Sequence, residues 1–350
     1  APRQGSAMTT NPYLNRKMIT NPAEFFGRER ELRKILARIG NQRPQSVAVV
    51  GERRIGKSSL LYQAYHPANR QASIPDAASL VCVFMDLSER KDYQAAQIFQ
   101  ALFAELSRAL GETITSDAGS GYDTFKAAVQ RIEAAGRRLV IFFDEFEAIA
   151  SNPNIPAANV TEFLAFLRGI ANSHAVAYVT SSQIDLQELG HSGEIKESPF
   201  FNIFTRVSLG PFSREEALAL IAQPSAAAGR PLVPYADTLL QWAGTHPYFL
   251  QVACAVLFEW HNGQGVSHQD MTRAAIEFAD ETEDHFQYTW QHLKAEERSV
   301  LRSLATGVPV PDTQHYLLRQ LERRGYIVSW AGLPRIFSSI FAGLIPQWPS

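Results

Sequence analysis

Val47-Ala48-Val49-Val50 runs without a polar break into Gly51-Glu52-Arg53-Arg54-Ile55-Gly56-Lys57-Ser58. A strand apolar at successive positions is buried on both faces, the situation of a parallel sheet covered by helices. The G-x-x-x-x-G-K-S spacing behind it narrows the choice further. Gly51 and Gly56 let backbone N–H groups curl around phosphate oxygens. A helix beginning at Lys57 adds the partial positive charge of its N-terminus. Lys57 is placed to reach the β- and γ-phosphates of a nucleotide, and Ser58 to hold Mg2+. The bland alternative is a glycine turn with a surface lysine. A buried strand before the loop and a helix after it favour the phosphate loop.

Further strand signals fall at 80–85, 139–143, 175–180 and, shorter, 205–209. Helical spacing falls between and around them at 28–39, 57–64, 93–111, 122–135 and 159–173. In the first of these Leu32, Ile35, Leu36 and Ile39 share a face. Strands alternating with helices predict an α/β fold: a P-loop NTPase parallel sheet with helices on both faces. Ser213-Arg214-Glu215-Glu216 is a capping box, and the stretch it opens reads as helical to 280. Breaks are expected near Pro224, Pro231–Pro234, Gly244–Pro247 and Asn262–Gly265. This stretch reads as a helical lid. Beyond 284 come helices at 295–305 and 313–324, a stop at Gly325, then Tyr326-Ile327-Val328-Ser329-Trp330, a turn at Ala331-Gly332, and Arg335-Ile336-Phe337. Helix, helix, hairpin is the order of a winged helix. The expected domains are a leader and N-terminal arm (1–20), an ATPase domain (21–212), a lid (213–283) and a C-terminal winged helix (284–350). Residues 1–7 read as a non-native leader ahead of Met8.

Leu139-Val140-Ile141-Phe142-Phe143 is a central-strand pattern that ends in Asp144-Glu145. Two adjacent carboxylates at a buried strand end are costly without partners. Mg2+ and an attacking water supply them: Asp144 binds the ion, directly or through water, and Glu145 orients or deprotonates the water. Solvated acids at a strand end are the bland reading, and the loop upstream weighs against it. Glu147 reads as an ordinary exposed carboxylate.

Composition excludes other classes. Apolar residues at 45% and charged residues at 19% rule out wholesale disorder. Two cysteines, Cys82 and Cys254, make neither a disulfide scaffold nor a cysteine zinc site and read as buried thiols of a cytoplasmic protein. No apolar run approaches the roughly 20 residues needed to span a bilayer. A net charge of −2 gives no global attraction to nucleic acid or membranes.

Phe25-Phe26-Gly27-Arg28-Glu29, the loop continued through Ser59-Leu60, and Asp144-Glu145 together resemble the STAND branch of the AAA+ ATPases. The closer likeness is to the bacterial and archaeal ATPases called novel STAND, whose lid motif looks like Gly244-Thr245-His246-Pro247-Tyr248-Phe249-Leu250-Gln251. The loop and acidic pair are shared by many NTPases; F-G-R-E and G-x-H-P-Y-x-L-Q are more specific. The resemblance spans 11–350, with the winged part matched by pattern alone. It implies ATP or ADP with Mg2+, contacted by Gly51, Arg54, Ile55, Gly56, Lys57, Ser58 and Ser59, with Ser58 and Asp144 as metal ligands. Phe26 and Arg28 are implied near the adenine and ribose, though Arg28 also reads as a surface residue at a helix start. His246 and Pro247 are implied to approach from the lid, while a structural histidine and a helix-starting proline explain them as well. The strand at 175–180 runs into Ser181-Ser182-Gln183, where a polar sensor meets the γ-phosphate. Many relatives carry arginine there; Gln183 leaves Ser181 or Ser182 and implies slow hydrolysis. Arg206 is a weak arginine-finger candidate, and Arg53 and Arg54 act in cis or face a neighbour.

Three readings follow. One is a slowly hydrolysing STAND-type switch that changes shape or self-associates in its ATP form, with a protein effector or sensor in cis or trans. The second is a DNA-acting AAA+ ATPase of the replication-initiator type, in which Arg319, Arg323 and Arg324 of the winged helix face DNA. The third is a scaffold that binds nucleotide without hydrolysing it. Tyr288, Trp290, Tyr326 and Trp330 read as core rather than as a stacking platform. The apolar run 336–341 reads as packing or a docking edge.

Overall fold

The valine run forms β1 (Ser46–Gly51), and the other apolar runs form β2 (Leu80–Asp86), β3 (Arg138–Asp144), β4 (Val176–Ser182) and β5 (Phe204–Leu209). The structure is a computed structural model and describes residues 10–88, 95–114, 121–150, 155–188, 198–330 and 332–349. The leader at 1–7 lies outside the described residues, as do Ala331 and the start of the helix expected from 93. The five strands pair in parallel in the order β2-β3-β4-β1-β5. β1 and β3 therefore both border β4, although β2 separates them in the chain.

Alternation along β1 explains why its run is unbroken. Val47 and Val49 pack with Ile35, Leu36 and Ile39 of helix Glu29–Ile39 and Leu60 and Leu61 of helix Lys57–Tyr65. Ala48 and Val50 belong to the opposite core, with Phe99, Leu102, Phe125, Val129, Phe163 and Leu167 from helices Ala95–Leu110, Gly121–Ala134 and Ala157–Ser173. Each face of the sheet buries one set of side chains, so no position on β1 can be polar without a partner.

The chain divides into two compact units: Met18–Leu209, and the residues up to Lys17 together with those from Gly210 onward. The second unit is helical. Ser213 and Glu216 form the capping box of helix Arg214–Ala227. Helix Pro247–Trp260 buries ten consecutive or near-consecutive side chains from Tyr248 to Phe258 and is apolar nearly all round, the pattern of a helix enclosed by others. Helix His268–His292 runs unbroken through the boundary expected at 283/284, and lid and C-terminal segments form one unit. Helices Ala295–Thr306 and His315–Arg324 follow, then the antiparallel pair β6 (Ile327–Trp330) and β7 (Leu333–Ile336). Phe337 and Phe341 of the apolar 336–341 run are buried against Phe286, so that run is packing. Trp290 is core, Tyr288 stacks on His292, and the Trp330 side chain lies outside the described residues.

Pro224 does not break its helix. A proline removes the N–H that bonds the carbonyl four residues earlier, here Leu220. The Tyr13 hydroxyl of the N-terminal arm donates to that carbonyl at 3.3 Å and to Ile221 O at 2.7 Å. Tyr13 is 1% exposed. Asn11 donates to Ala255 O, and Gln251 donates to Tyr13 O, so the arm is built into this unit. Tyr13→Phe leaves a buried acceptor unpaired, and a loss of about 1–3 kcal/mol in chemical denaturation is expected. An unchanged midpoint would mean the helix tolerates Pro224 unaided.

Candidate functional site

β1, β3 and β4 end side by side, and the loop that follows β1 closes over their ends. Ligands of doubly wound sheets gather there, beyond the carboxyl ends and where strand order reverses. Gly51 is required by close approach: a Cβ there would lie 2.7 Å from Leu209 O. Gly56 is required by conformation, at φ 99°. Arg54 adopts φ 64° without being glycine. The Ile55 side chain is fully buried in the core of helices Glu29–Ile39 and Lys57–Tyr65. Its burial stabilises the loop by about 1.5–3 kcal/mol. Helix Lys57–Tyr65 has no side-chain cap at its start, so its first-turn N–H groups face the loop's interior.

Lys57 Nζ donates to Gly51 O at 2.9 Å and Glu52 O at 3.0 Å. Burial lowers the pKa of this ammonium, and the carboxylates of Glu147, Asp144, Glu52 and Glu145 push it back up. The Ser181 hydroxyl donates to Asp144 Oδ1, and the Ser58 hydroxyl lies near enough to the Asp144 carboxylate to lower its pKa. Asp144 is 4% exposed. Burial is the largest influence on it and raises its pKa; the two hydroxyls act against that, and Asp86, paired with it across β2 and β3, adds to it.

The residues after Asp144 are stitched to the end of β4. Glu145 turns the chain at φ 53°, and its N–H donates to Ser181 Oγ at 2.9 Å. Phe146 N–H donates to Ser181 O at 2.9 Å. Gln183 N–H donates to Glu147 Oε1 at 3.2 Å. Glu147 is therefore not the exposed carboxylate that its sequence position suggests. It is half-buried, burial raises its pKa, and its Oε2 is buried without a hydrogen-bond partner among the described residues.

Other expected site residues fall as follows. Arg28 is buried, at φ 63°, and its Nη2 donates to Ile55 O at 3.3 Å, so the F-G-R-E segment meets the loop and the surface reading is set aside. Phe26 beside it is half-buried. The Ser59 hydroxyl accepts the N–H of Ile19 at 3.0 Å and so serves the N-terminal segment rather than the loop's interior. The Ser181 hydroxyl, expected to meet phosphate, is spent on Asp144 and Glu145, because β4 pairs with β3 in a register that brings it beside the acidic strand end. Ser182 Oγ donates to Ile184 O at 2.7 Å. Arg206 is paired with Asp185 at 2.5 Å. His246 and Pro247 belong to the other unit, where Pro247 is the first residue of its helix and the His246 ring packs on Phe249 and Phe337. Asp86 was missed although the signal was the same as at Asp144: an apolar run ending in an acid.

The family model for novel STAND NTPase 2 matches residues 41–310. The chain belongs to the novel STAND NTPase 2 family. The match begins just ahead of β1 and so takes in the loop, the acidic strand end and most of the helical unit. No match to the chain is found among the curated proteins. Among solved structures, a Walker-type ATPase of Pyrococcus abyssi is similar, with TM-score 0.65 and 16% identity over 96% of this chain and 99% of that one. The ORC2 protein of Aeropyrum pernix, solved with ADPNP and ADP, is similar with TM-score 0.56 and 15% identity over 91% of this chain and 93% of that one. At such identities the likeness concerns the fold: that of a P-loop ATPase with a helical C-terminal region.

Proposed function

We propose that the chain binds ATP with Mg2+ at the loop after β1 and hydrolyses it slowly, as a nucleotide-dependent switch. The observation that carries this reading is the buried Asp144 carboxylate at the end of β3, with the Ser58 hydroxyl acting on it from the phosphate loop. A hydroxyl of the loop and a carboxylate of the acidic strand thus lie close together. Two hard oxygen donors and a buried negative charge suit Mg2+, which takes few protein ligands and completes its shell with phosphate and water. When bound, the ion supplies charge neutralisation of the phosphates. Lys57 exchanges its loop carbonyls for phosphate oxygens, and the open first turn of its helix receives them. Glu145 holds the attacking water and takes its proton. Arg28, tied to Ile55 O, fixes the loop from the side where the base and ribose are expected.

Slow turnover is supported by the end of β4. The hydroxyls of Ser181 and Ser182 are engaged within the protein, Gln183 carries no charge, and Arg206 is held by Asp185. Among the described residues no preset cation stabilises the developing charge from that side. ATP over GTP, and a conformational or self-associating response to ATP, rest on the STAND family's habit. The effector or sensor partner is a protein of unassigned identity, and the expected location is the cytoplasm. No described helix is long and apolar enough to cross a membrane. Phosphate release under multiple turnover tests hydrolysis; its complete absence would leave nucleotide binding alone.

The DNA-acting reading is favoured by helix His315–Arg324, which exposes Arg319 and Arg323 ahead of the β6–β7 hairpin. Arg324 does not join them: it pairs with the buried Glu297 at 2.5 Å and lies over the Tyr326 ring. If this face meets DNA, Arg319→Ala with Arg323→Ala weakens binding and lowers the salt slope by about 2. No DNA binding at low salt removes this reading.

A further inference from the structure

Residues 145, 146 and 147 each contribute one hydrogen bond to the end of β4. The first two use backbone N–H groups. The third uses a side chain, and a carboxylate is more than that bond needs. Glu147 Oε1 accepts the Gln183 N–H at 3.2 Å, while Oε2 is buried with no donor among the described residues. A buried acceptor left without a donor is destabilising by about 1–3 kcal/mol, and more when charged. In a native protein such a group is explained by strain, by a catalytic role or by a bound water or ion. Its surroundings favour a catalytic role. Glu147 is the carboxylate whose charge acts most strongly on Lys57, and Glu145 lies within its electrostatic reach. It thus lies close to the lysine and the glutamate that the ATPase reading assigns to the terminal phosphate and the attacking water.

We propose that Glu147 is a second carboxylate for the hydrolytic water: Oε1 is fixed by the end of β4, and Oε2 accepts a hydrogen bond from the water that Glu145 activates. This rests on the ATPase reading of the site. The water loses one proton to Glu145 as its oxygen attacks the γ-phosphorus and ADP leaves; Glu147 accepts the hydrogen bond of the other O–H and transfers nothing. Two acceptors, rather than one, fix the direction of the attacking lone pair.

The glutamine variant separates this role from a latch. In Glu147→Gln the amide oxygen still accepts the Gln183 N–H, which obliges the amide NH2 to occupy the place of Oε2, where it cannot accept from water. Single-turnover hydrolysis of ATP with Mg2+ is expected to slow roughly 100-fold, with ATP affinity and melting temperature unchanged, and Glu147→Ala is expected to be as slow. Wild-type hydrolysis in Glu147→Gln with loss in Glu147→Ala would show a latch and overturn the proposal. If Glu147→Gln fails to fold, Glu147→Asp keeps the charge but withdraws it by one methylene; slowed hydrolysis at unchanged affinity is expected, and a wild-type rate overturns the proposal. Glu145→Gln in parallel separates the two levels. Loss there with normal hydrolysis in Glu147→Gln defeats only the role of Glu147, and normal hydrolysis in Glu145→Gln defeats the reading of the site itself.

Discussion

Glu145→Gln is expected to bind ATP with wild-type affinity and to hydrolyse it about 10²–10⁴-fold more slowly. The side chain stands past a turn at φ 53°, anchored through its own backbone N–H to Ser181 Oγ, so the amide replaces the carboxylate without disturbing the strand end. What is lost is a base for the attacking water. The nucleotide contacts come from the loop and Lys57 and are untouched, so quenched-flow hydrolysis falls while equilibrium binding of ATP stays level. A matched fall in binding would place Glu145 in the loop's phosphate cradle instead.

Lys57→Ala is expected to act at the other step. Its ammonium sits in a loop whose N–H groups and helix N-terminus favour anions; burial lowers its pKa, and four carboxylates oppose that shift. It bonds the Gly51 and Glu52 carbonyls, both of which phosphate oxygens are expected to replace. Two charge-assisted bonds at about 1.5–3 kcal/mol each correspond to about 10²–10⁴-fold in Kd. Titration of the variant with a fluorescent ATP analogue measures this. The fold is expected to persist, since the Ile55 anchor and Gly51 geometry do not depend on the lysine. ATP affinity within a few-fold of wild type would refute the site.

The loop and the sheet were readable because their signals are local. Four apolar residues before Gly51 demand a strand covered on both faces, and Phe142 and Phe143 before Asp144 repeat the demand. The family signal in F-G-R-E led to Arg28, and the contact with Ile55 O gives it a physical basis. What the sequence concealed depends on partners far along the chain. Pro224 reads as a break until Tyr13, more than 200 residues earlier, takes the carbonyl it orphans. Ser181 reads as a phosphate contact until the pairing of β3 with β4 aims its hydroxyl at Asp144. Glu147 reads as solvated because three residues past a strand end is usually surface. The left-handed turn at Glu145 folds the chain back, and Glu147 is half-buried with its Oε2 enclosed. Charge counting likewise grouped Arg324 with Arg319 and Arg323, although burial of Glu297 withdraws it.

The central claim is a nucleotide switch that holds its product, and the nucleotide released on denaturing freshly purified protein tests it most directly. Near-stoichiometric ADP is the result predicted from the proposed slow turnover and slow release at a site with a complete phosphate loop and, among the described residues, no preset cation at the end of β4. An empty protein that hydrolyses added ATP freely would contradict it.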